Sequence, residues 1–311
     1  MTLSLSVVIC THQRAAYLEK ALRSLALQSL PRSAWEVIVV DNRSTDRTRE
    51  VAEGFAGEID LRYLFEPVLG LSYARNAGWR AARAPLVAYL DDDAVAVPDW
   101  LERILEVFAA VTPRPGCVGG RVEPIWEAPR PPWLSDEVLT SLTAIDWTDA
   151  PHPLPDLSQE WLVGANLAIP RDVLERIGGF TDGLDRAGKS LLSSGDVFLQ
   201  RQVQELGLAC WYHPSMAVGH HVPAARLRQP WFRRRYYWQG VSDAVMQLLE
   251  ERPSPVGRLR LAARRLRDLL RRPAWVAALL LPTDEPGRFT AKCWAWIAVG
   301  HTLGLLGAAR R

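Results

Sequence analysis

The chain has 311 residues, of which 48% are hydrophobic and 23% are charged, as in ordinary folded proteins. This composition excludes collagen, a coiled coil and wholesale disorder, and it allows one large domain with an appendage or two smaller domains. The formal net charge of +2 does not indicate a nucleic-acid-binding protein. The charge is unevenly distributed, because residues 226–272 contain thirteen arginines and four acidic residues.

The first hundred residues alternate apolar runs with helix-like segments, which predicts an α/β fold with parallel strands and crossover helices. Strands are predicted at Leu5–Cys10, Trp35–Val40, Leu61–Phe65 and Leu86–Leu90. Helices are predicted at Ala15–Gln28, from a cap at Ser44 or Thr45 to Phe55, and at Leu71–Ala82.

The pattern is less regular after residue 113. Two proline-rich segments, 124–132 and 151–155, are predicted to be loops over a cleft. Regular structure is then predicted at Trp161–Ile169, in helices at Arg171–Ile177 and Asp196–Leu206, and in a short strand at Ala209–Tyr212.

Acidic residues follow two of the predicted strands. Asp41 follows the second strand, and Asp91, Asp92 and Asp93 follow the fourth. Ligands bind outside the carboxyl ends of strands in open parallel sheets. Asp91 and Asp93 point the same way on an extended chain, so they could share one Mg²⁺ or Mn²⁺ ion. The alternative is a solvated acidic turn that caps the next segment.

The four cysteines indicate a reducing compartment, because none is close enough to another in sequence for a zinc site or a disulfide framework. The apolar run at the start of the sequence has only the length of a strand, which argues against a signal peptide. We therefore expect a cytoplasmic protein.

Several motifs occur in a characteristic order. They are SVVICTHQR from Ser6, VIVVDNRSTDRT from Val37, GLSYARNAGWRAA from Gly70, LVAYLDDDAVAVPDWL from Leu86, WLVGANLAIPRDVLERIGGF from Trp161, the SSGD segment ending at Asp196, and His220-His221. In order and spacing they resemble the family 2 glycosyltransferases, which have the GT-A fold.

The resemblance implies a GT-A nucleotide-binding domain in residues 1–222, with a mostly parallel sheet flanked by helices. Residues 223–311 would form a basic, partly apolar, helical C-terminal extension. The implied donor is a nucleoside-diphosphate sugar, and the implied cofactor is Mn²⁺ or Mg²⁺. The implied donor-binding residues are Thr11, Arg14, Asp41, Arg75 and Asp92. The implied metal ligands are Asp91, Asp93 and His220.

Three of these assignments have plain structural alternatives. Asp41 could cap a helix, Arg75 could be an exposed helix arginine, and His220 could be a structural histidine. The sequence does not decide which of His220 and His221 faces the site.

The resemblance implies that Asp196 is the catalytic base. Family members usually carry a Glu-Asp pair at this point, whereas this sequence has Gly195-Asp196. A helix cap is the alternative role for Asp196, because a carboxylate at a helix N-terminus interacts favourably with the helix dipole. Asp185 is the next carboxylate to consider.

Acceptor contacts are predicted for flat aromatic side chains in the irregular middle region, although packing in a core is the commoner fate of a tryptophan. The tryptophans there are Trp126, Trp133, Trp147 and Trp161. We favour Trp133, with Asn166 as a second acceptor candidate.

The predicted reaction is inverting transfer of a sugar to the hydroxyl of a saccharide or lipid-linked saccharide. The resemblance implies cell-surface polysaccharide or glycolipid assembly as its setting. Two alternatives remain. A nucleotidyltransferase would need a glycine-rich basic loop near the first strand, where THQRAAY has one arginine and no glycine. A non-catalytic nucleotide-sugar-binding scaffold is suggested by the missing glutamate.

The C-terminal extension has two apolar stretches, Ala274–Leu281 and Cys293–Ala309. The second has seventeen residues without a formal charge, which is short for a bilayer core of about 30 Å. We expect peripheral, in-plane attachment to the cytoplasmic face of the inner membrane, supported by the arginines. Packing against the catalytic domain is the alternative.

Overall fold

The computed structural model describes residues 3–186, 188 and 190–308, which form two compact units. The first unit comprises the chain up to Ile125, Thr143–Asp182 and Gly195–His221. The second comprises Trp126–Leu142, Gly183–Ser194 and the chain from Val222 onward. Each unit consists of several chain segments, so no single boundary in the sequence separates them. The division into a catalytic domain, residues 1–222, and an extension, residues 223–311, stays a prediction.

Nine strands of the described residues form one sheet, in the hydrogen-bonded order β3-β2-β1-β4-β8-β6-β9-β5, with β7 on β9. Their bounds are β1 Leu5–Thr11, β2 Trp35–Asp41, β3 Leu61–Phe65, β4 Leu86–Leu90, β5 Ala94–Ala96, β6 Cys117–Trp126, β7 His152–Pro153, β8 Asn166–Pro170 and β9 Cys210–Val222.

The sheet is mixed. Strands β1 to β4 are parallel, as the alternation of strands and helices predicts, and β1, β2 and β4 are buried almost throughout. The later pairings of β8 with β4 and β6, and of β9 with β5 and β7, are antiparallel. The predicted mostly parallel sheet is therefore correct only for its first four strands.

The helices of the first unit are α1 Ala15–Ala26, α2 Thr48–Gly54, α3 Leu71–Ala81, α4 Trp100–Ala110, α5 Arg171–Ile177 and α6 Gly195–Glu205. The predicted cap of α2 is wrong. The hydroxyls of Ser44 and Thr45 accept hydrogen bonds from the backbone and side chain of Gln13, at 2.9 and 2.8 Å. The helix starts later, where the Thr48 N–H donates to the carboxylate of Asp46.

Strand β9 is much longer than the predicted strand at Ala209–Tyr212. Its thirteen residues include Pro214 and Gly219, which are unfavourable in strands. The sequence pattern therefore predicts a shorter strand than the structure has. The segment that begins at Trp161 is shorter than predicted, because only Asn166–Pro170 is a strand.

The second unit contains four α-helices among its described residues: α7 Gln229–Glu251, α8 Pro255–Leu270, α9 Pro273–Leu280 and α10 Pro286–Leu305. Helix α10 packs against the other three. The two predicted apolar stretches fall on α9 and on α10 with the residues after it, although residue 309 lies outside the described residues. None of the helices in the described part of the chain combines the length and apolar character needed to traverse a bilayer.

Glycines allow α7 and α10 to approach closely. A β-carbon added to Gly240 would overlap the carbonyl oxygen of Ile297 on α10. In the opposite direction, a β-carbon on Gly300 would overlap the carbonyl oxygen of Tyr237 on α7. Because both obstacles are backbone atoms, only movement of a whole helix can make room for a side chain.

We therefore predict that Gly300→Ala lowers the free energy of unfolding by about 1–3 kcal/mol, the usual cost of overpacking a core. Gly54→Ala is the matched control, because a β-carbon there meets no atom within 4 Å. Urea titration followed by circular dichroism measures both changes. A Gly300→Ala midpoint equal to that of the control would contradict the close-packing argument.

Candidate active site

Three adjacent carboxylates lie where β4 ends. Asp91, Asp92 and Asp93 occupy the turn between β4 and β5, and the exposed fractions of Asp92 and Asp93 are only 5% and 3%. The Asp91 side chain is 34% exposed. Since burial of a charge is costly without a partner, this turn requires positive charge around it.

Arg14 supplies part of that charge from the segment between β1 and α1. Its Nη1 donates to Asp92 Oδ1 at 2.8 Å and to Asp93 Oδ2 at 2.7 Å. Burial alone would lower the pKa of Arg14, but the two carboxylates outweigh it and raise that pKa, so the guanidinium stays charged. Burial raises the pKa of Asp92 to about 6, although Arg14 opposes this change.

Asp91, Asp93 and His220 form a candidate metal site, because each offers a ligand atom and these atoms all lie within 4.8 Å of one another. His220 Nε2 is 3.1 Å from Asp93 Oδ1. The pairing of β5 with β9 brings them together, since Ala94 lies opposite His220 in the ladder. Two carboxylates and one imidazole fit a divalent cation such as Mn²⁺ that is also bound by ligand oxygens.

The second histidine is oriented differently. The ring of His221 packs against Tyr17, with 5.4 Å between ring centroids, and its backbone N–H donates to the Asp93 carbonyl. Of the two adjacent imidazoles, the structure thus brings His220 to the carboxylates.

Arg75 is buried beside this cluster, and the alternative of an exposed helix arginine is wrong. It projects from α3, is 4% exposed, and its Nη2 lies 3.8 Å from Asp91 Oδ1. The guanidinium lies 4.9 Å from the ring centroid of Phe180. A β-carbon on Gly164 would overlap the end of the Arg75 side chain, so any larger residue there would have to displace the guanidinium.

Asp41 and Thr11 lie next to each other at the ends of β2 and β1, and both are buried. The Asp41 carboxylate accepts hydrogen bonds from the Tyr63 hydroxyl and the Ser44 N–H, both at 2.7 Å. The bond from Ser44 shows that Asp41 also stabilises the turn after its strand. Burial, followed by the hydrogen bond to Asp41, raises the pKa of Tyr63.

Asp196 is in the first turn of α6 and is half-buried. Its Oδ2 accepts a hydrogen bond from the Gly164 N–H at 3.0 Å. Gly164 also touches Arg75, which in turn lies beside Asp91. A continuous series of contacts therefore joins the predicted base to the carboxylates at the end of β4.

The acceptor candidates are less favourably placed. Asn166 is 0% exposed. Its side-chain amide accepts a hydrogen bond from Trp100 Nε1 and donates to the carbonyls of Arg121 and Met216. Its predicted contact with an acceptor is therefore corrected to a structural role. Trp133, in the second unit, packs against Phe289 with 4.6 Å between ring centroids, as the core alternative predicts.

Sequence reasoning missed two residues that shape the site. Gly164 is one, and Asn42 is the other. The Asn42 amide donates to the Val68 carbonyl and accepts from the Gly70 N–H, both at 2.7 Å, so it fixes the loop that leads into α3. The available signal was the position of Asn42 directly after Asp41 at a strand end.

Residues 6–177 match the family model described as glycosyl transferase family 2. This match covers more than half of the chain, and the chain belongs to this family. The predicted family is therefore confirmed.

Two curated relatives are informative. The chain is 35% identical over 201 residues to a validoxylamine A glucosyltransferase of Streptomyces hygroscopicus subsp. jinggangensis, covering 57% of this chain and 47% of the relative. It is 27% identical over 252 residues to a glucosyl-dolichyl phosphate glucuronosyltransferase of Haloferax volcanii, covering 79% and 78%. The chain thus spans about half the length of the Streptomyces protein.

A solved structure confirms the fold class. The mannosyltransferase PcManGT of Pyrobaculum calidifontis, solved in complex with GDP-Man and Mn²⁺, aligns with a TM-score of 0.59 at 20% identity. The alignment covers 100% of this chain and 77% of the other. The α/β fold of GT-A type, with its helical C-terminal region, is the predicted one.

The pKa of Asp92 gives a prediction about stability. A carboxyl whose folded pKa is raised destabilises the fold once it ionises, so this penalty develops between about pH 4 and pH 6 and stays constant above. Asp92→Asn should therefore raise the free energy of unfolding by about 1–3 kcal/mol at pH 7, and much less at pH 4.

Thermal unfolding in a chelator at both pH values measures this difference. Asp99→Asn is the control, because its half-exposed carboxylate, just before α4, pairs only with Arg103 among the described contacts. Equal effects of Asp92→Asn at the two pH values would contradict the burial argument.

Proposed function

We propose that the protein is an inverting glycosyltransferase that moves a sugar from a nucleoside diphosphate to an acceptor hydroxyl. The observation that carries this proposal is the cluster of the half-buried Asp91 and the buried Asp92 and Asp93 at the end of β4, with Arg14 and His220 beside it. Cationic side chains and divalent-cation ligands around one strand end suit a diphosphate. Membership of glycosyl transferase family 2 supports the same reaction.

Asp91, Asp93 and His220 would hold Mn²⁺ or Mg²⁺ together with the donor. The complex of PcManGT with GDP-Man and Mn²⁺ supports this choice of cofactor. When bound, the cation would offset negative charge on the departing diphosphate.

The donor would be bound by the side chains at the ends of the first strands. Asp41 and Thr11 would contact the base and ribose, and Asp92 the ribose or sugar. Arg14 and Arg75 would bind the diphosphate, for which charged guanidinium groups are well suited.

Asp196 would take the proton from the acceptor hydroxyl as the oxygen attacks the anomeric carbon. The hydrogen bond from the Gly164 N–H supports this role, because it orients the carboxylate. A single displacement from the face opposite the leaving group inverts the anomeric configuration.

The proposed acceptor is a saccharide or a lipid-linked saccharide, in cell-surface polysaccharide or glycolipid assembly. The Haloferax relative is named as a glucuronosyltransferase of glucosyl-dolichyl phosphate, which is a lipid-linked sugar, and this name supports a lipid-linked acceptor. Trp133 remains the proposed aromatic contact for the acceptor. The location proposed for this reaction is the cytoplasm, with peripheral contact at the cytoplasmic face of the inner membrane.

Binding of the donor should depend on the cation. We predict that a nucleoside diphosphate binds at least tenfold more tightly in Mn²⁺ than in chelator, and that Asp93→Ala abolishes this difference. Titration calorimetry measures both affinities. Asp60→Ala, which removes an exposed carboxylate, should keep the dependence on Mn²⁺. Equal affinity in chelator and in Mn²⁺ would remove the metal from the mechanism.

The general base has its own test. We predict that Asp196→Asn retains donor binding and slows both sugar transfer and donor hydrolysis by roughly 10² or more, the usual contribution of a positioned base. The control is Asp172→Asn, which removes a carboxylate from the first turn of α5 and therefore reproduces any effect on a helix N-terminus.

Near-normal turnover in Asp196→Asn would direct attention to Asp185. A wild-type chain that binds donor without turnover would instead support the scaffold alternative.

A further inference from the structure

Helix α8 of the second unit carries an apolar stripe on its exposed side. Its members recur every three or four residues, so they lie along one face of the helix. They are Val256, Leu259, Ala263, Leu266 and Leu270. The exposed fractions of the four larger side chains are 57%, 59%, 44% and 62%. This stripe spans fifteen residues, and its first and last members are about 21 Å apart along the helix axis.

The stripe is distinct from the side of α8 that packs in the second unit. Ala262 and Leu269 are 3% and 5% exposed. Ala262 packs with Ala244 and Leu305, and Leu269 packs with Ala298. The core therefore takes one side of the helix and leaves the neighbouring stripe uncovered among the described residues.

A row of exposed arginines runs beside the stripe, each one residue after a stripe position. The row consists of Arg260, Arg264, Arg267 and Arg271. Helix α8 as a whole has five arginines and a single acidic residue, Asp268. An apolar stripe with a cationic row along its edge is the pattern of a helix that lies in the plane of an anionic bilayer surface.

The charge decides between a lipid surface and a second copy of this chain. If two copies met through their stripes, each helix would bring an excess of arginines to the other, and the like charges would repel. Anionic phospholipid offers both the missing negative charge and an apolar layer for the leucines.

We propose that the outer face of α8 binds anionic phospholipid bilayers in plane, with the leucine stripe in the lipid and the arginine row at the headgroups. The inference deepens the proposed function, because it names the surface and the lipid class of the membrane contact. Lipid binding does not require the donor site, so the two proposals can fail separately.

The test is flotation of the full-length chain with vesicles of equal parts phosphatidylglycerol and phosphatidylcholine, at low and high salt. We expect binding at low salt that weakens at high salt and is lost on pure phosphatidylcholine. The variant Arg260→Gln/Arg264→Gln/Arg267→Gln should bind about a hundredfold more weakly, since each arginine contributes about fivefold. Leu259→Gln/Leu266→Gln/Leu270→Gln should lose binding at all salt concentrations.

The matched control is Arg23→Gln/Arg32→Gln/Arg114→Gln, which removes the same charge from exposed positions of the first unit and should keep wild-type binding. Donor hydrolysis without vesicles should be unchanged in all three variants, and circular dichroism checks their folding. The inference would be overturned if the wild-type chain did not bind the vesicles, or if the control variant weakened vesicle binding as much as the arginine variant. Either result could occur with normal donor hydrolysis, so it would not contradict the proposed function. A dimer in solution that the leucine variant dissociates would also overturn it.

Discussion

Charge compensation at the end of β4 is the constraint on which the site depends. Two almost fully buried aspartates and a half-buried one follow each other in the chain, and their mutual repulsion favours unfolding unless cations surround them. Arginines come from two separate elements, the segment before α1 and helix α3, and strand β9 adds the imidazole of His220 beside Asp93. A substitution at this point therefore disturbs several buried side chains together, because they compensate one another's charge.

The first half of the sheet could be predicted because its signals are local. Strands β1 to β4 are short apolar runs, and each ends close to the predicted residue. The antiparallel half could not be predicted in the same way, since the pairing of β4 with β8 joins segments about eighty residues apart. Pro214 and Gly219 also concealed the length of β9, where neighbouring strands override local preference.

The candidate site was predictable in its residue types and less so in their surroundings. The positions of Asp91 and Asp93 followed from the strand that precedes them. The burial of Arg75 did not, because it depends on the contact with Gly164, almost ninety residues further along the chain. The structural role of Asn166 could not be predicted either, because its amide is hydrogen-bonded to Trp100 and to two backbone carbonyls that are distant in the sequence.

The two adjacent histidines are distinguished by strand register. Ala94 lies opposite His220 in the ladder of β5 and β9, and successive side chains of a strand point to opposite faces. A slip of β9 by one residue would put Gly219 or His221 opposite Ala94 and would exchange the faces of both imidazoles. The register set by the backbone hydrogen bonds between β5 and β9 thus determines which of the two adjacent histidines faces the carboxylates. An insertion in β9 would therefore be as damaging to the site as loss of His220 itself.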